Sequence, residues 1–362
     1  MAICPFQFHC QTPAPVPLPN PIHHFPKNLA PLLSQTSSFS ACSAATTETR
    51  FEWESRNRMF ILGMGFVGQF FAKNLKNEDW VVNGTCTSST KLKELEERGF
   101  DVCRFYANEP ELDVVTTMKS YTHLLVSIPS VAGVGDPMLQ HRELLRSMLM
   151  GGDLQWLGYL SSTSVYGHSG GAWVDEDYPA SPTSETGKLR LVAEEGWLNL
   201  GRDLGLSTQV FRLGGIYGPR RSAVDTIIKQ EALSKTQEFR LSRQYTSRVH
   251  VQDICQTLHA SINLPSSRRI YNIVDDDPAP REEVFAYAKK LVEQKWPGLV
   301  KQGTSREGSV ISSKKVSSRD EKRVSNARIK SELGVKLVHP SYRSGLLSII
   351  DQMESPFRYS SS

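Results

Sequence analysis

The sequence is poor in the features that make a membrane, metal or disulfide protein. No run approaches the roughly 18 uninterrupted apolar residues that a spanning helix requires. Only six cysteines are spread along 362 residues. Cys4, Cys10 and Cys42 fall near the N-terminus, while Cys86, Cys103 and Cys255 are scattered. With no C-x-x-C pair and no histidine at zinc spacing, buried unpaired thiols in a reducing compartment are the expectation. The formal net charge of +4 is small for this length, so charge alone recommends no nucleic-acid surface.

Acidic residues are missing altogether from the beginning of the chain. No Asp or Glu precedes Glu48, and the only Lys or Arg before Arg50 is Lys27. Eight of the twenty prolines lie in this stretch, with Ser and Thr clustered between Ser34 and Thr49. An acid-free, hydroxyl-rich leader resembles an organelle transit peptide, and it lacks the apolar core of a secretory signal. Its shortage of arginine favours the chloroplast stroma over the mitochondrion. A disordered tail without a targeting role is the alternative, and in either case residues 1–50 stand apart from the fold.

What is present begins at Met59. The apolar run Met59–Leu62 reads as a buried strand and breaks into Gly63-Met64-Gly65-Phe66-Val67-Gly68. Phe66, Val67, Phe70, Phe71 and Leu75 then recur at helical spacing, with Gln69, Lys73 and Lys76 on the other face. Strand, G-x-G-x-x-G and helix in this order form the context of a dinucleotide fingerprint. Gly63 serves a tight turn, Gly65 the approach of a pyrophosphate, and Gly68 close helix–strand packing. The helix start offers free N–H groups and its positive dipole end to the phosphates.

The alternation continues. Strands are expected at Trp80–Val82 (entering Gly84 to Ser89), Asp101–Phe105, His123–Ile128, Trp156–Ser161 and Gln209–Leu213. Helices are expected at Lys91–Arg98, Glu109–Lys119, Met138–Met150 and Pro182–Leu204. This pattern predicts an α/β fold with a doubly wound parallel sheet, its ligand crevice at the strands' carboxyl ends. Beyond Pro219 it loosens into a helix over Ser222–Lys235, a short strand near Phe239, a helix from Gln252 and a strand over Arg269–Val274. Helices at Pro280–Gln294, Asn326–Leu333 and Tyr342–Met353 finish the chain. The expected organisation is a nucleotide-binding domain over 57–218, to which elements return from 249–275. A substrate-covering region follows over 219–355, with a mobile loop at 303–318.

NAD enzymes place an Asp or Glu about 20 residues past the glycines to hold the ribose hydroxyls. The window Thr85–Lys91 contains no acid. Thr87, Ser88 and Ser89, with Lys91 nearby, would instead accept a 2′-phosphate, so NADP is favoured and NAD stays possible. Arginine, the usual ligand of that phosphate, is missing from the window.

Further motifs follow in order. They are Tyr159-Leu160-Ser161-Ser162-Thr163-Ser164-Val165-Tyr166-Gly167, Arg212-Leu213-Gly214-Gly215-Ile216-Tyr217-Gly218-Pro219, Arg248-Val249-His250-Val251-Gln252-Asp253-Ile254 and Tyr271-Asn272-Ile273-Val274-Asp275-Asp276. Together they resemble the extended short-chain dehydrogenase/reductase family, which includes the NAD-dependent epimerases and dehydratases of nucleotide sugars. The resemblance covers residues 57–350. It implies cofactor contacts from Gly63 to Gly68, Thr87, Ser88, Ser127, Pro129, Lys188 and Gly214. It also implies that Ser162, with Thr163 adjacent, hydrogen-bonds the reacting oxygen. The family's acid/base is the tyrosine of a Tyr-x-x-x-Lys helix, whose phenol the lysine brings below its ordinary pKa near 10.

In this chain Lys188 stands where the lysine belongs, but Ser184 occupies the tyrosine's place. A serine hydroxyl is too weak an acid to replace it. The glycine spacing departs from the usual G-x-x-G-x-x-G, and Gly215 stands where nucleotide-sugar enzymes often carry Asn. These departures resemble the atypical branch of the family, as does the run Lys322–Ile329 followed by Leu333-Gly334. Tyr166, Tyr178, Glu185, Tyr217 and His250 are the remaining candidates for proton transfer, none of them outstanding. Arg212, Arg220, Arg221, Arg240, Arg243 and Arg248 suit an anionic substrate, with salt bridges or solvation as the alternative.

Two functions stay open. One is an NAD(P)-dependent oxidoreductase or epimerase/dehydratase acting on an anionic small molecule. The other is a catalytically inactive cofactor-binding protein with a regulatory, assembly or RNA-associated role in the plastid. The family implies a possible homodimer, while basic and aromatic residues do not interleave as on an RNA surface.

Overall fold

The computed structural model describes residues 57–229, 245–300 and 321–359. The leader 1–50, the strand expected near Phe239, Arg240, Arg243, the second half of the helix expected to reach Lys235 and the loop 303–318 lie outside the described residues.

Strands and helices alternate from the start: β1 (Arg58–Leu62), α1 (Phe66–Lys76), β2 (Val81–Cys86), α2 (Ser89–Glu97), β3 (Asp101–Arg104), α3 (Leu112–Met118) and β4 (His123–Val126). Then follow α4 (Arg142–Leu149), β5 (Trp156–Ser162), β6 (Trp173–Val174), α5 (Glu185–Asp203), β7 (Ser207–Leu213) and β8 (Gly215–Tyr217). The chain continues through α6 (Ala223–Lys229), β9 (Arg248–His250), α7 (Val251–Asn263), β10 (Arg269–Ile273), α8 (Arg281–Lys295), β11 (Arg323–Val324), α9 (Ala327–Leu333) and α10 (Tyr342–Asp351). A hairpin of β12 (Met353–Ser355) and β13 (Arg358–Tyr359) closes the described chain.

Seven strands form one parallel sheet in the order β10-β7-β5-β4-β1-β2-β3. The doubly wound α/β expectation therefore holds. β1 and β4 are neighbours, and the chain leaves them toward opposite edges, which makes their carboxyl ends the topological switch point. Burial follows the pleat, since successive side chains point to opposite faces. Met59 and Ile61 pack with Phe71, Leu75 and Leu258 on one side, while Phe60 and Leu62 pack with Tyr121 and Trp197 on the other. A third apolar cluster, including Val224, Val284, Leu346 and Ile349, joins α6, α8 and α10 beside the sheet. No helix among the described residues is long and apolar enough to cross a membrane.

Several boundaries differ from the sequence expectation for local reasons. β2 runs on through Gly84-Thr85-Cys86, past the Trp80–Val82 strand expected. Gly84 is needed inside the strand, because a Cβ there would lie 2.5 Å from Met64 Cε and 2.9 Å from the Ile61 carbonyl oxygen. α5 begins at Glu185 and not at Pro182, because the Ser184 hydroxyl accepts the Gly187 N–H at 3.2 Å and caps the helix. The stretch expected as one helix over Met138–Met150 is a 3-10 turn at Leu139–His141 followed by α4. The terminal hairpin was not foreseen at all.

His123 opens β4 almost fully buried, with its Nδ1 2.8 Å from Thr122 Oγ1 and its ring against Trp80 and Trp156. Burial lowers its pKa from 6.5 to about 4. The unfolded chain therefore binds a proton that the folded chain refuses, and stability falls as pH drops from 6.5 toward 4. His123→Gln is expected to reduce that acid-induced loss by up to about 3 kcal/mol, read as the difference between wild-type and variant urea unfolding at pH 7.5 and pH 4.5. Equal losses in the two proteins would contradict it.

Candidate functional site

The glycine loop is shaped by the strand next to it. Gly63 turns with φ of +96°, a conformation that glycine adopts without strain. Its N–H donates to Thr85 Oγ1 at 2.9 Å, and the Met64 N–H donates to the Thr85 carbonyl at 2.7 Å. Thr85 thus fixes the turn from β2. A Cβ on Gly68 would lie 2.9 Å from the Gly63 carbonyl oxygen and 3.2 Å from Ile61 Cγ2, so helix–strand packing excludes one. Gly65 is different. A Cβ there meets nothing within 4 Å among the described residues, so packing does not require glycine.

The first intrahelical bond of α1 runs from the Gln69 N–H to the Gly65 carbonyl at 3.0 Å. The N–H groups of Phe66, Val67 and Gly68 precede it, and no side chain caps them. These are the donors, at the positive end of the helix, that an anionic group can take. Ser127 and Ile128, just past β4, lie against the turn, each within 3.3 Å of a Cβ built on Gly63. Pro129 follows them on the exposed side.

Thr87, Ser88 and Ser89 are exposed at the end of β2. The Ser88 hydroxyl is engaged as the N-cap of α2, accepting the Lys91 N–H at 3.2 Å, while Lys91 pairs with Glu94 at 2.8 Å. An arginine of the neighbouring strand also lies here. Arg104, paired in register with Cys86, reaches Ser89 Oγ with its Nη1 at 3.3 Å.

At the end of β5, Ser162 is half-buried and its Oγ accepts the Ser164 N–H at 3.2 Å, capping the 3-10 turn Thr163–Tyr166. Its hydroxyl proton can still be donated. Thr163 is buried. Gly187 presses the first turn of α5 on the same segment, since a Cβ on it would fall 3.2 Å from the Ser164 carbonyl oxygen. The structure therefore brings Ser162, Thr163 and the Ser184–Lys188 helix start to one junction, with Lys188 and Ser184 exposed. Gly214 bends the chain between β7 and β8, and a Cβ there would come 3.1 Å from Arg248 Cα. Packing on β9 is reason enough for that glycine.

The proton-transfer candidates separate by burial. The Tyr166 hydroxyl is buried and donates to Asn272 Oδ1 at 2.8 Å; burial pushes its pKa up to about 12, despite Arg212 against its ring. Tyr217 is raised further by burial, with its hydroxyl toward the Ser341 carbonyl at 3.5 Å. His250 is the buried N-cap of α7, accepting the Gln252 N–H, and burial with neighbouring His339 lowers it to about 3. These three are packing groups. Tyr178 and Glu185 are exposed, Glu185 in the first turn of α5 as the helix dipole favours.

Arg212 corrects the expectation of a substrate-facing arginine. It is buried in a bidentate pair with Glu194, Nη2 to Oε2 at 2.7 Å and Nε to Oε1 at 3.1 Å. Arg220, Arg221 and Arg248 do meet, together with Arg281, around a cavity of about 420 Å³ between α6, α8 and the β8–β9 pair. Arg248 donates Nη2 to the Ala279 carbonyl at 2.7 Å, while its Nη1 is buried without a hydrogen-bond partner among the described residues. Burial lowers its pKa from the ordinary value, with buried Asp275 opposing that shift.

The turn Gly218–Arg221 closes one side of this cavity. Arg220 sits there at φ of +66°, a strained conformation for a side-chain-bearing residue. Tyr359 of β13 holds it: the hydroxyl accepts the Arg220 N–H at 2.9 Å and donates to Asp225 Oδ1 at 2.6 Å, and the ring lies under the Arg220 guanidinium. Arg221 in turn stacks on Phe66 of the glycine loop, with the guanidinium carbon 5.2 Å from the ring centre. The cavity wall and the glycine loop are therefore in direct contact. Arg281, Asp225 and Tyr359 were missed by the sequence reading, which had only local patterns to work from.

Comparisons with known proteins bear on the fold and the family. The sequence profile described as the NAD dependent epimerase/dehydratase family matches residues 59–274. Protein YeeZ of Escherichia coli strain K12 is 26% identical over 290 residues, covering 78% of this chain and 96% of YeeZ. A solved structure of a functionally unknown conserved protein from Silicibacter pomeroyi shares 31% identity with a TM-score of 0.61, covering 83% of this chain and all of that one. The UDP-glucuronic acid 4-epimerase of Bacillus cereus, solved in complex with NAD, shares 18% identity with a TM-score of 0.59 over 82% of this chain and 99% of its own, which is a likeness of fold. With the glycine loop at the switch point and the family profile running through the whole parallel sheet, the chain belongs to the NAD-dependent epimerase/dehydratase family.

Proposed function

We propose that the protein is an NADP-dependent oxidoreductase or epimerase of this family, acting on an anionic small molecule through a site that lacks the usual tyrosine. The observation that carries this proposal is the arginine-lined cavity, whose Gly218–Arg221 wall rests on Phe66 of the glycine loop. Substrate and cofactor would then occupy adjoining spaces.

The residues present fit a nicotinamide dinucleotide. Gly65 leaves room for a pyrophosphate, and the N–H groups of Phe66, Val67 and Gly68 can hold it. When bound, the nicotinamide supplies a hydride acceptor or donor. NADP is favoured because the strand end Cys86–Thr90 offers hydroxyls and no carboxylate. Ser162 would hydrogen-bond the substrate oxygen, and the Lys188 ammonium would hold a ribose hydroxyl. Arg220, Arg221, Arg248 and Arg281 would hold the anionic part, with Arg248 Nη1 as a donor already stripped of water. Removing a proton falls to Tyr178, Glu185 or a water at the Ser162 junction, because Tyr166, Tyr217 and His250 are engaged elsewhere.

A second reading rests on Ser184. The position of the family's acid/base has been given to a helix cap, which suits a cofactor-binding plastid protein without turnover. One experiment separates the two: cofactor oxidation and reduction by the full chain, followed against a panel of carbonyl compounds and nucleotide sugars that includes anionic members. The enzyme reading expects turnover that Ser162→Ala lowers by about a hundredfold while cofactor affinity stays. Turnover untouched by the substitution would remove Ser162 from the site, and no turnover with any member would favour the regulatory reading. We also propose import into the plastid, from the acid-free leader; fluorescence of a fusion carrying residues 1–56 that stays outside plastids would overturn it.

A further inference from the structure

We propose that Arg104 is the residue that selects NADP, taking the 2′-phosphate at the end of β2; this rests on the NADP preference above. In a doubly wound fold the adenosine ribose lies at the carboxyl end of the second strand, where an acid holds its hydroxyls in NAD enzymes. Here that strand ends at Cys86, and Thr87, Ser88, Ser89 and Thr90 follow it without a carboxylate.

β3 pairs with β2 in parallel, with Arg104 opposite Cys86. The last residue of one strand is thereby set beside the last residue of the other. The arginine is exposed, and its Nη1 reaches Ser89 Oγ at 3.3 Å. Its guanidinium also stands over the ring of Tyr106, 5.7 Å from the centre. That contact restrains a side chain that would otherwise sample many rotamers, so less freedom is lost when an anion binds. Among the described residues no carboxylate pairs with it.

The other cations on these elements are less suited. Lys91 is paired with Glu94 at 2.8 Å, Lys76 with Asp101 at 2.9 Å, and Arg98 donates to Gln69 and stacks on Phe100. A planar guanidinium with several donors matches a phosphate monoester, and Ser89 and Thr87 can add hydroxyl donors. Ser88 is already in use as the cap of α2, while Ser89 Oγ, which accepts from Arg104, keeps its own proton to donate. An arginine that looks remote in the sequence thus supplies the charge that the second strand's own window lacks.

The test compares full-chain wild type with Arg104→Gln in equilibrium titrations with NADPH and NADH, followed by nicotinamide fluorescence, and with 2′,5′-ADP as a competitor. The expected result is NADPH binding weakened by about tenfold or more in the variant, NADH binding unchanged within about twofold, and competition by 2′,5′-ADP largely lost. Ser89→Ala should weaken NADPH binding less, and in the same direction. A variant that keeps the wild-type preference for NADPH would overturn the role of Arg104 while leaving the NADP preference standing. Equal weakening of both dinucleotides would also overturn it, by placing Arg104 on the shared adenosine. A wild type that prefers NADH would overturn both.

Discussion

Replacing Glu194 with alanine is expected to destabilise the protein by about 3–5 kcal/mol, because it strands the buried charge of Arg212. The two side chains are 3% and 4% exposed, so water cannot take over the lost contacts. Burial works against the charge on Arg212, but the hydrogen bonds and charge of Glu194 outweigh it and hold the guanidinium protonated. Glu194 Oε1 also accepts the Ser161 hydroxyl at 2.5 Å. The pair thus ties α5 to β7 and to the penultimate residue of β5, immediately before Ser162. Arg212 completes the arrangement with its guanidinium 4.8 Å from the centre of the Tyr166 ring. Urea unfolding should show a lower midpoint for Glu194→Ala, and a double replacement by apolar residues, Glu194→Leu with Arg212→Met, should recover much of the loss. A single variant within about 1 kcal/mol of wild type would contradict the buried-pair account.

The second large effect is functional. Gly65→Val is expected to weaken NADPH binding by about a hundredfold or more, since its side chain would occupy the space of the pyrophosphate. Stability should fall by no more than about 1 kcal/mol, the cost of Val at this N-cap. Gly65 has φ of −81°, which any residue can adopt, and a Cβ there meets nothing within 4 Å. Gly68→Val makes the useful contrast, because its Cβ would strike the Gly63 carbonyl oxygen at 2.9 Å and disturb the fold as well. Thermal melts with and without cofactor distinguish the two. Undiminished affinity in Gly65→Val would show that the dinucleotide does not cross the loop at this residue.

Much of the sheet and of the glycine loop was legible in the sequence, because both are written in local pattern. Apolar runs of strand length alternate with helical periodicity, and the three glycines keep a fixed spacing at one strand end. Features that depend on partners far along the chain were not legible. Arg104 becomes relevant to the end of β2 only through the pairing of β3 with β2. Arg212 looked like a substrate ligand because Glu194, 18 residues away, is brought to it only by the packing of α5 on β7. Tyr359 reaches Asp225 across 134 residues. β2 was cut short for a different reason: Gly84 breaks the strand pattern, yet close approach to Met64 and Ile61 is what demands it.

Ser184, which stands where the resemblance expects a tyrosine, has a structural role. Ser184 caps α5, Gly187 seats that helix on the Ser162 turn, and Lys188 stays exposed beside it.

The central claim is that this chain holds a nicotinamide dinucleotide in the loop Gly63–Gly68. Titration of the folded full chain with NADPH and with NADH, read by nicotinamide fluorescence, tests it directly. Saturable binding of one dinucleotide per chain is expected, tighter for NADPH than for NADH. Failure of the folded protein to bind either would contradict it.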